Sequence, residues 1–198
     1  MLKYLYIILF LSISCHISAQ KFSLEPYIGI GGYVNEYHGQ GRALLGAQVS
    51  YVITSQWQIN IEGFFGGNIF PGDPEVENGS RIVLNPRANK FNFIGAGARY
   101  NFRKEAKKSY PYFQTLLGYT NSELSSADLA NTDGLENSGI GVALEAGYSL
   151  EQLKLSLRFV HFGDIDSFMG TSLDNRPVIM EDIENMIIVL KLGYTIQL

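Results

Sequence analysis

Hydrophobic and polar residues alternate with a period of two along most of the chain after residue 20. In residues 153–159, three leucines and a phenylalanine alternate with Lys, Ser and Arg. Because successive side chains of a strand point to opposite faces, this pattern predicts β-strands rather than helices. We place eight strands at about residues 22–34, 42–53, 56–69, 90–102, 110–121, 138–150, 153–163 and 185–198.

The two faces of these strands differ in size as well as polarity. One face carries large apolar side chains, whereas the other carries mostly Gly, Ala, Ser and Thr with scattered charges. Small residues suit the interior of an eight-stranded barrel, which side chains alone just fill. The large apolar face then suits lipid. The sequence therefore predicts an all-β fold, an eight-stranded antiparallel up-and-down transmembrane β-barrel. A soluble lipocalin-like barrel, with the apolar face inside, is the alternative.

The connections between strands alternate in length. Those at 35–41, 70–89, 122–137 and 164–184 are longer, and those at 54–55, 103–109 and 151–152 are shorter. Transmembrane barrels have short periplasmic turns and longer outer loops. An even number of strands then places both termini on the periplasmic side. A closed barrel also pairs every backbone group within its wall, as lipid requires.

The fourth strand fits the alternation least well. Phe91 and Phe93 are out of phase with Ile94, Ala96 and the apolar residues that follow. A β-bulge inserts one residue and reverses the phase of a strand. We therefore expect a bulge near Asn92.

The first residues are typical of a secretory signal peptide. Lys3 precedes an apolar run at 4–13, and Ile17-Ser18-Ala19 forms a small-residue cleavage site. The run is shorter than the roughly 20 residues that a membrane-spanning helix needs. We expect a signal peptide at 1–19 and one β-barrel domain at 20–198. The alternative is lipidation at Cys15, although Ser12 stands where a lipoprotein signal usually has Leu.

Composition narrows the function classes. The net charge of −4 argues against nucleic acid as a partner, since a basic patch is the expected footprint. Cleavage after Ala19 would remove the only cysteine, and with it any thiol chemistry. The three histidines, His16, His38 and His161, are too scattered for a zinc site. We expect no cofactor and no metal.

Seven charged residues fall on the predicted inward face. If Glu151-Gln152 is a two-residue turn, Leu150 pairs with Leu153, and Glu145 then stands opposite Arg158. One interpretation is a polar plug, because buried charges persist when they are paired and hydrogen-bonded. The other is a narrow ion path or proton relay, which the small interior disfavours. The residues of this predicted ion network are Glu25, Glu62, Arg99, Glu145, Lys154, Arg158 and Lys191.

The two ends of the barrel differ in charge. The turn at 103–109 is basic, whereas the connections at 122–137 and 164–184 are acidic. Oxygen-rich loops can bind Ca²⁺ or Mg²⁺, but Asp164-Ile165-Asp166 is far short of a calcium loop, and a solvated acidic rim is favoured. The acidic residues are Glu123, Asp128, Asp133, Glu136, Asp164, Asp166, Asp174, Glu181, Asp182 and Glu184.

With this layout the chain resembles the small outer-membrane β-barrel superfamily, which includes the OmpA transmembrane domain and OmpX-like proteins. The Ala19-Gln20 junction and the Tyr- and Gly-rich strands resemble those of Bacteroidetes-type bacteria. The strand from Ile187 to Leu198 resembles the assembly signal of such barrels, although Leu198 stands where an aromatic is usual. The resemblance implies the cell outer membrane as location. It implies outer-membrane lipid or lipopolysaccharide and the barrel-assembly machinery as partners, with an extracellular ligand as a further candidate.

A second resemblance concerns residues 158–164, Arg-Phe-Val-His-Phe-Gly-Asp. This segment is similar to the lipid A deacylase barrel, in which a serine nucleophile follows a His by two residues. Here Gly163 replaces the serine and Asp164 replaces an asparagine, and a His without that hydroxyl forms no nucleophile–base pair. We expect a non-enzymatic barrel with a plugged lumen and outer loops for structural or binding roles. The alternatives are a small-solute or ion pore and a degenerate deacylase.

Overall fold

The computed structural model describes residues 21–33, 41–68, 75–78, 81–84, 88–103, 108–124, 135–165, 168–171, 177–180 and 183–198. No helix within these ranges is long and apolar enough to cross a membrane. The strands are β1 (Phe22–Tyr33), β2 (Arg42–Val52), β3 (Trp57–Asn68), β4 (Glu75–Asn78), β5 (Arg81–Leu84), β6 (Ala88–Asn101), β7 (Ser109–Leu124), β8 (Leu135–Leu150), β9 (Leu153–Ile165), β10 (Phe168–Thr171), β11 (Pro177–Met180), β12 (Ile183–Tyr194) and β13 (Ile196–Gln197).

Eight long antiparallel strands form a closed barrel. Its order is β1, β2, β3, β6, β7, β8, β9, β12, and pairing of β12 with β1 closes the wall. β13 continues the last strand after Thr195 and also pairs with β1. The predicted all-β, eight-stranded, up-and-down antiparallel barrel is confirmed, and the predicted strand ends lie within three residues of those observed. Closure leaves no unpaired edge in the wall.

The turn between β8 and β9 sets the register of that hairpin. Glu151 adopts a left-handed backbone with φ of 59°, the conformation that two-residue hairpin turns require. Leu150 therefore pairs with Leu153, and Glu145 stands opposite Arg158. The predicted register of this hairpin is confirmed.

The outward face is apolar around the whole barrel. Ile61, Leu117, Ile140, Leu157 and their neighbours are exposed on it, whereas the alternate residues are buried. Two exposed aromatic residues, Phe65 and Tyr119, lie toward the outer end. Six others lie toward the end that carries the termini: Phe22, Trp57, Phe102, Phe113, Tyr148 and Tyr194. An apolar band bordered by aromatic residues is the surface of a barrel that crosses a membrane.

The fourth barrel strand, β6, corrects one prediction. There is no bulge near Asn92. Phe91 and Phe93 are buried on the same face as Arg99, and Asn92 and Ile94 are exposed on the opposite face. The register shift lies between Ala88 and Lys90 instead. The expectation was wrong because it required large aromatic residues to face outward, and the interior accommodates these two.

Two outer connections form a second, four-stranded sheet with the order β10, β11, β5, β4. β5 lies in the connection from β3 to β6 and β11 in that from β9 to β12, and the two pair in parallel. Four barrel strands separate these connections in either direction around the wall. The sheet therefore joins opposite sides of the barrel at its outer end.

Two of the outer connections, predicted at 122–137 and 164–184, are shorter than predicted. β7 and β8 extend to Leu124 and from Leu135, so that Glu123 pairs with Glu136 within the hairpin. Asp164 likewise pairs with Glu184, in β9 and β12. These four acids belong to strands because the barrel wall continues past the apolar band. The other acids of the predicted rim lie outside the described residues.

A charge in the middle of the apolar band should destabilise the folded barrel. We expect Leu157→Arg to lower the free energy of unfolding by about 2–4 kcal/mol, since the guanidinium would face lipid. The matched variant Leu150→Arg, at the turn, should cost about 0–1 kcal/mol. Urea unfolding of the chain in lipid vesicles measures both. Equal losses would contradict the orientation of the wall.

Candidate functional site in the barrel interior

The seven residues of the predicted ion network are all buried inside the barrel. They come from β1, β3, β6, β8, β9 and β12, and each lies on the inner face of its strand because it shares the parity of the buried positions. Four are cations and three are carboxylates. The structure brings all seven into one connected set of contacts.

Glu25 on β1 is the partner of three cations. Its Oε2 lies 3.0 Å from a terminal nitrogen of Arg99 and 2.5 Å from Nζ of Lys154. Its Oε1 lies 3.2 Å from Nζ of Lys191. Both oxygens of this carboxylate therefore face positive charge, at the end of the interior nearest the chain termini.

Arg158 on β9 joins two carboxylates. Its Nε donates to Oε2 of Glu145 at 2.8 Å, and a terminal nitrogen donates to Oε2 of Glu62 at 2.9 Å. It forms further short contacts with both carboxylates. β3, which carries Glu62, and β9 are opposite each other in the eight-stranded order. The Glu62–Arg158 contact thus spans the lumen.

The carboxylate of Glu145 on β8 accepts from several donors. Besides Arg158, it accepts hydrogen bonds from the hydroxyls of Tyr112 at 2.7 Å and Ser156 at 2.8 Å. Nζ of Lys191 lies 3.3 Å from its Oε2. Lys191 therefore links Glu145 to Glu25, and the three carboxylates belong to one network.

Neutral residues that the sequence reasoning missed complete the network. The hydroxyl of Tyr27 donates to Glu62, and Gln114 donates to Glu62 at 3.2 Å while accepting from Nε of Arg99 at 2.7 Å. The Tyr27 ring also lies 3.9 Å from Nζ of Lys191, within cation–π range. The parity of these residues with the predicted charges is the signal that could have found them. Arg42 is a further buried cation that the prediction missed.

An aromatic layer lies beside the ion network. Phe64, Phe91, Phe93 and Phe162 are buried, and the rings of Phe64 and Phe93 stack with centroids 4.9 Å apart. Phe91 and Phe162 are 5.0 Å apart. Each ring lies farther from the termini than the ion-network residues of its own strand. The interior thus has an ionic half and an aromatic half.

Glycines give these rings their space. A Cβ at Gly66 would collide with the Phe91 ring, and one at Gly95 would lie 2.6 Å from the Phe93 ring. A side chain there would force a shift, because real Cβ atoms do not approach so closely. The inward glycines of this half are therefore the partners of large rings, and not only the filling of a narrow lumen.

This arrangement limits the chemistry of the interior. Each carboxylate of the network contacts at least one cation at hydrogen-bond distance. Within the described ranges, no group of three or more His, Cys, Asp or Glu is placed to hold a metal ion. Cys15, His16 and His38 lie outside those ranges, as do residues 1–20, which include the predicted signal peptide.

His161 lies outside the interior. It occupies an outward-facing, half-buried position on β9, paired with Val142 and with Met186. Gly163, in the position of the deacylase serine, has φ of +87° and no side chain. Phe162 between them points inward and is buried.

Removal of Arg158 should destabilise the barrel because it leaves Glu62 and Glu145 without their main cation. We expect Arg158→Met to lower the free energy of unfolding by about 3–5 kcal/mol. Lys108→Met removes a cation from the exposed Lys108–Glu151 pair and should cost at most about 1 kcal/mol. Urea unfolding in vesicles compares them. If Arg158→Met were as mild as the control, the network would not stabilise the fold.

Comparison with known proteins supports the architecture. No family model and no curated protein matches the sequence. Among solved structures, Neisserial surface protein A has 14% sequence identity and a TM-score of 0.60, covering 90% of this chain and 97% of its own. The N-terminal β-barrel domain of Pseudomonas aeruginosa OprF has 14% identity and a TM-score of 0.43, covering 88% and 97%. The likeness to Neisserial surface protein A shows that the chain shares its barrel fold.

Proposed function

We propose that the chain is a non-enzymatic outer-membrane barrel whose lumen is plugged and whose outer connections carry its structural or binding role. The observation that carries the proposal is the contact of Arg158 with Glu62 on the opposite strand and Glu145 on the adjacent one. An eight-stranded barrel has little room beyond its side chains, and this contact occupies the centre of that room.

The aromatic half strengthens the plug. An ion that passed the salt bridges would next meet four phenylalanine side chains, which offer no replacement for its hydration shell. Two barriers of opposite polarity in series disfavour both charged and apolar solutes. These two barriers weigh against the pore alternative.

The proposed location follows from the outer surface. A barrel wall with an apolar band and aromatic residues at one border is unfavourable in water and suits a lipid bilayer. The experiment is gel migration of isolated outer membranes with and without boiling, since folded barrels resist SDS until heated. A band found only in the soluble periplasmic fraction would refute the location.

The non-enzymatic part of the proposal rests on the segment around His161. Gly163 follows His161 by two residues, where the deacylase has its serine. Because glycine has no hydroxyl, the nucleophile–base pair of the deacylase cannot form there. The purified barrel should release no fatty acid from lipopolysaccharide. Release that His161→Ala abolished would overturn this part.

The outer four-stranded sheet supports the assignment of function to the outer end. Its pairing of β5 with β11 combines two connections from opposite sides of the barrel into one unit. A partner at this end, whether lipopolysaccharide or an extracellular ligand, would meet a continuous sheet. Assembly into the membrane would use the barrel-assembly machinery, through the last strand.

Planar-bilayer recording tests the plug directly. The native chain should give no single-channel steps, because both interior barriers are in place. Glu62→Ser/Arg158→Ser/Phe64→Ser removes the cross-lumen contact and one ring, and should produce steps. Gel migration establishes that the variant is folded. Regular steps from the native chain would overturn the plug and favour the pore.

A further inference from the structure

The charges of the ion network are unevenly distributed along the lumen. Three cations, Arg99, Lys154 and Lys191, contact the single carboxylate of Glu25, and we call these four residues the Glu25 cluster. The rest of the network is one cation between two carboxylates. These three carboxylates are the buried ones of the described ranges. The end of the lumen nearest the termini therefore carries an excess of positive charge, which the proposed plug does not explain.

Lys154 is the cation of the Glu25 cluster that lies nearest the opening of the barrel. It is the second residue of β9, directly after the turn at the terminus end. Its side chain is 7% exposed, whereas those of Arg99 and Lys191 are 0% and 1% exposed. An ammonium has three donors, and within the described part of the chain Lys154 uses one of them, toward Glu25. Two donors therefore remain for a ligand.

Two hydroxyl side chains lie beside Lys154 on the inner face. Ser149 stands directly opposite Lys154 in the β8–β9 hairpin, and Gly193 stands opposite it on β12. Thr195 follows Gly193 by two residues on the same face, and its backbone N–H donates to the carbonyl of Gln152 at 2.7 Å. Diagonal neighbours across such a ladder lie within reach of a long side chain. Ser149, Lys154 and Thr195 are therefore neighbours at the terminus end of the lumen.

The hydroxyl of Thr195 is buried without a hydrogen bond. Its oxygen has no partner in the described part of the chain, and the residue is 7% exposed. Buried hydroxyls are normally hydrogen-bonded, because an unmade bond leaves the loss of hydration uncompensated. The Ser149 hydroxyl is weakly engaged, since its contact with the Glu151 carbonyl is 3.4 Å long. Both hydroxyls can thus donate to an anion that Lys154 attracts.

We propose that Lys154, Thr195 and Ser149 bind a monatomic anion of the size of chloride at the terminus end of the lumen. The ammonium supplies the charge, and the two hydroxyls supply neutral donors. Hydrogen bonds to a charged acceptor are stronger than those to a neutral one, and the negative charge offsets the excess of the Glu25 cluster. The narrow interior of an eight-stranded barrel favours a single atom over a larger anion such as sulfate.

Chloride NMR of the barrel folded in zwitterionic detergent tests the site, because chloride that exchanges with a protein site gives a broadened resonance. We expect the native chain to produce a saturable broadening that bromide removes by competition and sulfate at equal ionic strength does not. Thr195→Val deletes the hydroxyl and retains the shape of the side chain. It should weaken chloride binding about tenfold, as expected for the loss of one hydrogen bond to a charged group.

Matched variants separate this site from a general attraction of anions. Thr195→Ser restores the hydroxyl and should restore binding. Lys154→Met should abolish the saturable broadening, whereas Lys108→Met removes the same charge from the exposed Lys108–Glu151 pair and should leave it unchanged. Gel migration establishes that each variant is folded. Because Thr195→Val changes no charge, it tests the site even if Lys154→Met does not fold.

Absence of saturable broadening by the native chain would overturn the inference, as would equal losses in Lys154→Met and Lys108→Met. Displacement by sulfate as readily as by bromide would contradict the proposed size of the anion. Crystals grown in bromide give an independent measurement, since anomalous scattering should place a bromide in contact with Lys154 and Thr195. A water molecule at Thr195, with bromide absent from the lumen, would refute the site.

Discussion

The need to pair every polar group inside a narrow barrel governs this structure. Eight strands close a wall that has no unpaired edge strand, and the interior that remains is only as wide as side chains can fill. A charge placed there has no access to bulk water. Glu25, Glu62 and Glu145 are therefore each held by cations from other strands. The same contacts tie β1, β3, β6, β8, β9 and β12 together through the lumen.

The wall and the inward position of its charged residues could be predicted because successive side chains of a strand must point to opposite faces. A shift of one residue would move Arg158 from the interior to the apolar surface, so the side of every charged residue follows from its parity. The two-residue turn at Glu151 also fixed the register of β8 against β9, which places Glu145 opposite Arg158. Both inferences use only local geometry.

Contacts across the lumen could not be predicted in this way. Glu62 meets Arg158 from the opposite side of the barrel, and no sequence separation or turn length encodes that distance. The aromatic half was missed for a related reason. Polarity alone does not identify the inner face, because Phe64, Phe91 and Phe93 point inward where Gly66, Gly95 and their neighbours leave room for rings. Parity was the better guide, since Phe64 is in phase with Glu62.

The outer sheet marks the limit of pattern reasoning at the other end of the molecule. β4, β5, β10 and β11 have four residues each, too few for a periodic signal, and β5 and β11 pair over a long sequence separation. The interior carboxylates each contact a cation, and the exposed face of the wall is apolar. Recognition of a partner needs polar groups that water can reach, and these lie at the two ends. At the outer end, the pairing of β5 with β11 joins two connections from opposite sides of the barrel into one sheet, an arrangement that no local sequence pattern encodes.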